Sequence, residues 1–116
     1  MAENKSKTLK MIVAIVQRGK ADPPVNAAIK AGAPAATVVF GRGQGMRERL
    51  GLLGLAVQPE KEIIFITIEE WLVDRVLTAM VKAGHLDQPG VGFVFVVPVD
   101  RAVGMAEAQE IAKAGT

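Results

Sequence analysis

Cysteine is absent from the 116 residues, and histidine occurs once, as His85. The first absence removes disulfides, thiol nucleophiles and thiolate metal sites, and a lone imidazole is too few ligands for a histidine-built zinc centre. Serine also occurs once, as Ser6 in a Lys-rich N-terminal stretch, so a Ser-His-Asp hydrolase has no suitable nucleophile. Tyrosine is missing altogether, which excludes regulation by tyrosine modification. Charge interrupts the apolar runs within about a dozen residues, short of the roughly 20 that a membrane helix requires. No basic-then-apolar start ends in a cleavage-like site, and the chain is expected to be cytoplasmic and not itself a membrane protein. Charge of one sign is scarce as well: 14 Lys+Arg against 12 Asp+Glu leave a net +2. That balance is too small and too dispersed for a basic footprint, and no nucleic-acid partner is expected.

What is present is apolar and patterned. Half the residues are hydrophobic and 22% are charged, a globular balance, and the length suits one core. Residues 9–17 form a β-branched apolar block of strand length that ends in the turn pair Arg18-Gly19. Asp22 before Pro23 predicts an N-cap, with Val25, Ala28 and Ile29 at helical spacing and Gly32 as the stop. Residues 36–40 read as a second strand; from Gly41 to Gly54 five of fourteen residues are glycine, and periodicity gives way to a loop. Residues 62–68 read as a buried strand. Thr67-x-x-Glu70 then matches a capping box that opens a helix with Leu72, Val73, Val76, Leu77, Met80 and Val81 on one face and Gly84 as its stop. A turn-rich stretch over 85–91 leads to a last strand, 93–97, ended by Pro98.

This order, β-α-β twice, is the one an α+β ferredoxin-like βαββαβ sandwich requires: a four-stranded antiparallel sheet with two helices on one face. Strands at 11–16 and 63–68 are apolar on both alternating faces, so the helix-free face is expected to be covered by self-association, giving a homo-oligomer. The expected organisation is a flexible tail over 1–8, the domain over 9–99 with a mobile loop at 41–58, and a C-terminal tail over 100–116. A helix over 100–113 through Val103, Met105, Ala108, Ile111 and Ala112 is one reading of that tail.

Three stretches together, KMIVAIVQRGKAD, ATVVFGRGQG and AGHLDQPGVGFVFVVPVDRAVG, resemble the P-II family of trimeric signalling proteins over residues 9–104. The resemblance implies a homotrimer with sheets facing inward and lateral clefts between subunits. Adenine nucleotides bind in such clefts, with 2-oxoglutarate in many members, and set the shape of a mobile loop that engages a target, a membrane transporter or a metabolic enzyme. It also implies nitrogen regulation and no enzymatic activity. Carried over by position, Thr37 and Gly41-Arg42 followed by Gln44 match the base of the mobile loop, with Gly43 as an insertion. Gly84 and the stretch Leu86, Asp87, Gln88, Pro89, Gly90, Val91 and Gly92 match the loop that cradles phosphates through backbone N–H groups, as glycines and successive amides can. Val91 stands where the family usually has a phosphate-binding lysine, and the tail's expected basic pair falls at Gly104 and Ala106. Arg42, Arg47, Arg49 and Arg101 remain as cations, which points to ADP or AMP, or another small anion, ahead of ATP; Arg42 suits a bidentate phosphate contact.

Other readings stay open at this level. The Gly41–Gly45 stretch is equally a flexible connection, and Arg47, Arg49, Leu50, Leu52 and Leu53 form either a partner-binding surface or a loop folded over its own core. His85 fits a helix-end cap, and Trp71 fits packing or an interface better than a stacking platform. Residues 41–49 also reproduce the Gly-Arg-x-Gln-Gly-x-x-x-Arg spacing of acylphosphatases, although that loop precedes the first helix there and the needed asparagine is expected downstream, whereas Asn4 and Asn26 are upstream. A ferredoxin-like structural oligomer without a ligand is the third alternative.

Overall fold

The β-branched blocks assemble as their alternation predicts. In the computed structural model, which describes residues 8–43 and 60–105, the order is β1 (Leu9–Gln17), α1 (Asp22–Ala31), β2 (Thr37–Arg42), β3 (Glu60–Glu69), a 3-10 turn (Glu70–Leu72), α2 (Val73–Gly84) and β4 (Gly92–Val99). The four strands form one antiparallel sheet in the order β2-β3-β1-β4, the arrangement of a ferredoxin-like βαββαβ fold.

Period-two alternation divides the sheet into two different faces. Ile12 and Ala14 of β1 lie opposite Ile66 and Ile64 of β3, and all four are fully buried with Val76 and Met80 of α2 and Ala28 of α1. Leu72 and Leu86 close the ends of this core. The other face carries Met11, Val13 and Ile15 opposite Thr67, Phe65 and Ile63, and again opposite Val97, Phe95 and Phe93 of β4. Phe93 is 61% exposed and Phe95 36%, and their rings lie 5.5 Å apart. An apolar sheet face with aromatic rings in water is the feature the strand composition predicts.

Several boundaries differ from the sequence-based expectation, each for a tertiary reason. Asp22 is the first helical residue and caps nothing with its side chain; the capping position belongs to Ala21, whose N–H is held instead by the Glu62 carboxylate at 3.0 Å. Ile29 is 44% exposed, outside the core face that Ala28 and Pro24 supply. β2 runs through Gly41 and Arg42 because both pair with β3, which begins at Glu60. The Thr67–Glu70 capping box does not form: Thr67 lies inside β3, opposite Met11, and the chain enters α2 through the 3-10 turn, whose first N–H, that of Glu70, bonds to the Thr8 carbonyl. Gly84 is the last helical residue, and the left-handed cap is His85 at φ 54. Pro98 does not end β4 but sits within it, as an edge strand permits where the missing N–H faces away from the ladder. Residues 100–105 are not helical, and the remainder of the expected 100–113 helix lies outside the described residues.

Candidate functional site

Antiparallel register brings the two candidate ligand segments to the same end of the sheet. There Phe40, Glu62, Val16 and Gly92 form one row across β2, β3, β1 and β4, with Gly41, Lys61 and Gln17 in the next row and Arg42 opposite Glu60 beyond it. The base of the 41–58 loop and the 84–92 stretch are therefore level with each other. They stand at opposite sheet edges, about 14 Å apart at the usual strand spacing.

An open groove of about 340 Å³ at the β2 edge is lined by Arg18, Phe40, Gly41, Arg42, Glu60 and Lys61. The Arg18 backbone N–H bonds to the Glu60 carbonyl at 3.3 Å, one step past the paired Gln17 and Lys61, so the β1–β3 ladder continues into the turn. The side chains pair too: Arg18 Nη1 lies 2.5 Å from Glu60 Oε1, and the Arg18 guanidinium carbon sits 5.8 Å from the centroid of the exposed Phe40 ring. The hydrogen bond that Arg18 donates to Glu60, and the negative charge of that carboxylate, raise the Arg18 pKa above its ordinary value. Arg42 is exposed at the strand end and makes no ion pair among the described residues. Gly41 is crowded, since a Cβ there would meet Ile63 Cδ1 at 2.7 Å.

The 84–92 stretch is mainly an internal turn. Leu86 is buried at the core edge between Gly84 and Gly92 and bonds its N–H to the Val81 carbonyl at 3.0 Å. The Gln88 and Val91 amides bond to the carbonyls of His85 and Gln88. Proline has no amide, so within this turn Asp87 and Gly90 supply the N–H groups with no backbone acceptor, Gly90 at φ 81. Asp87, Gln88, Pro89 and Gly90 are exposed, while Val91 is half-buried against the core. A Cβ on Gly92 would lie 2.9 Å from the Ile15 carbonyl oxygen and 2.8 Å from Leu86 Cδ2, so this glycine is fixed by packing.

The remaining candidates fall elsewhere. Thr37 is exposed at the start of the edge strand β2, opposite Phe65 midway along β3 and at the other end of β2 from Arg42. Arg101 follows Val99, which pairs with Leu9 at the opposite end of β4, about 25 Å from Gly92 at ordinary strand rise. It lines a separate groove with Thr8, Leu9, Pro98, Asp100 and Val103. Gln44, Arg47, Arg49, Leu50, Leu52 and Leu53 lie outside the described residues. Trp71 is 71% exposed and donates its indole N–H to Glu69 at 2.7 Å, so it is not core packing. Asn26 is exposed on α1. Composition did not single out Arg18, Phe40 or Glu60 for the groove, because Arg18 reads locally as part of a turn and its partner is 42 residues away.

Among the described residues no group of three or more His, Asp or Glu is placed to hold a metal, and no helix is long and apolar enough to cross a membrane. The chemistry offered at the β2 edge is recognition: a guanidinium with no ion pair among the described residues, beside an exposed aromatic ring. A sequence model of the family described as nitrogen regulatory protein P-II matches residues 9–108. A protein of Methanococcus maripaludis described as nitrogen fixation nifHD region glnB-like protein 1 is 30% identical over 96 residues, covering 81% of this chain and 90% of that relative.

Proposed function

The chain belongs to the nitrogen regulatory protein P-II family of signalling regulators, and on that premise we propose that it binds an adenine nucleotide or a related small anionic metabolite in clefts between the subunits of a homotrimer. Its ligand state then passes to a partner protein, a membrane transporter or a metabolic enzyme, through the 41–58 segment. The observation that carries this reading is Arg42, exposed and without an ion pair among the described residues, at the end of β2 beside the Phe40 ring. A guanidinium in that position suits a phosphate, and an adjacent ring suits a planar base.

The separation of the two candidate segments across the sheet supports an inter-subunit cleft. On a single chain the two segments stand about 14 Å apart with β3 and β1 between them, whereas a neighbouring copy packed on the apolar face adds a second edge. With the described amides of the 84–92 turn reduced to Asp87 and Gly90 and no Lys or Arg on that turn, ADP or AMP fits better than ATP. The ligand transmits a signal only to the extent that it binds one arrangement of the protein more tightly than another.

Isothermal calorimetry of size-checked protein against AMP, ADP, ATP and acetyl phosphate, each nucleotide with and without 2-oxoglutarate, tests this. The expected result is saturable nucleotide binding at about one per subunit, weakened about tenfold or more by Arg42→Ala, the scale of a hydrogen bond to a charged group. Heat of turnover on acetyl phosphate without nucleotide binding would favour a hydrolase, and silence throughout would leave a structural oligomer.

A further inference from the structure

The electrostatics at the roots of the 44–59 segment contain a competition that the groove geometry resolves in one direction. Glu60, the first residue of β3, has an arginine on each side: Arg42 is its direct partner across the β2–β3 ladder, and Arg18 is its partner across the continued β1–β3 ladder. Directly opposed residues in antiparallel strands present their side chains to the same face. The carboxylate has both arginines within its reach by register, yet its ion pair is with Arg18, at 2.5 Å, and Arg42 is left without one among the described residues. Arg18 is held in place twice more, by its own backbone bond to Glu60 at 3.3 Å and by its position over the Phe40 ring.

We infer that Arg18 is a positioning residue for the anion site: by occupying the Glu60 carboxylate it keeps Arg42 available to a negatively charged ligand. This rests on the reading of Arg42 as an anion-binding residue given above, and it names how that residue is kept ready. An anion arriving at Arg42 displaces only water, because the competing internal carboxylate is already paired. Without Arg18, Glu60 turns to the arginine directly opposite, and the ligand must displace a protein carboxylate before it binds. The hydrogen bond to Glu60 and the charge of that carboxylate raise the Arg18 pKa further above its ordinary value, in keeping with a guanidinium held by its partner. Glu62 also raises the Arg18 pKa, and its Oε1 accepts the Ala21 N–H at 3.0 Å.

The test is a four-protein cycle of wild type, Arg18→Ala, Glu60→Gln and the double variant, read by calorimetry with ADP. Arg18→Ala is expected to weaken ADP about two- to fivefold, in keeping with a solvent-exposed ion pair. Glu60→Gln is expected to bind at least as tightly as wild type, and the double variant to return to the Glu60→Gln level, because the competing charge is gone. Unchanged binding in Arg18→Ala, or a double variant as weak as Arg18→Ala alone, overturns the inference. A ligand-free readout separates this from the function itself: the Arg42 side-chain Nε–H signal in nuclear magnetic resonance. Slower solvent exchange of that proton in Arg18→Ala, restored in the double variant, supports the competition even if wild type binds no nucleotide; the same exchange rate in all four proteins refutes it.

Discussion

Gly92 shows how one residue can be chosen by two neighbours at once. It begins β4 opposite Val16, with the Ile15 carbonyl oxygen 2.9 Å and Leu86 Cδ2 2.8 Å from where a Cβ would stand. The leucine can move, but the carbonyl belongs to the central strand and cannot. Gly92→Ala is therefore expected to destabilise by about 1–3 kcal/mol through overpacking, seen as a lower urea midpoint at unchanged slope. An unchanged midpoint would mean that the β1–β4 pair separates without cost. Gly84, Leu86 and Gly92 thus form a packing unit in which the buried Leu86 side chain fills the space that two glycines leave. The sequence shows glycines around a loop and offers a phosphate cradle as their reason; the contacts supply a packing reason for two of them, while Gly90 at φ 81 keeps a backbone one.

Among the elements, α1 starts without a side-chain cap of its own. Asp22, the residue with the right chemistry, is one position too late, and the Ala21 N–H is satisfied from β3 by Glu62 at 3.0 Å. This ties the β1–α1 connection to the sheet over 41 residues of sequence. Glu62→Ala is expected to cost about 1–2 kcal/mol, the range for a partly buried N–H that loses a charged acceptor, with faster amide exchange at Ala21 but not at Ile66. Equal protection at Ala21 in the variant would refute the anchoring role. α2 illustrates the converse case. Its apolar face, Val76 and Met80, with Leu72 of the preceding 3-10 turn, is legible from helical spacing and is buried as expected, whereas its start is not, because β3 extends through Thr67 to keep its pairing with β1 and removes the capping box. Pro98 likewise reads as a stop, and only the place of β4 at the sheet edge makes it an ordinary strand residue.

At the scale of the whole molecule, the helix-free sheet face is the strongest constraint. Phe93, Phe95 and Val39 lie on it with 61%, 36% and 40% of their surfaces in water. A monomer that left this face wet would forgo roughly 25 cal/mol for each Å² of apolar surface that a partner could cover. Phe93→Asp is expected to lower the molecular mass measured by light scattering from that of the proposed trimer towards one subunit, with the helical circular dichroism retained. An undiminished mass would place the subunit contacts elsewhere. Nucleotide binding should fall in the same variant if the cleft lies between subunits. Strand blocks, helix faces and the βαββαβ order were determined by the sequence alone, because alternation and helical spacing are set by near neighbours in the chain. Only the tertiary structure decided which arginine Glu60 holds, which residue caps α1, and that the two candidate ligand segments share one end of the sheet but opposite edges. Those facts depend on strand order and register, which bring together residues some 40 positions apart, and no local pattern encodes such a pairing.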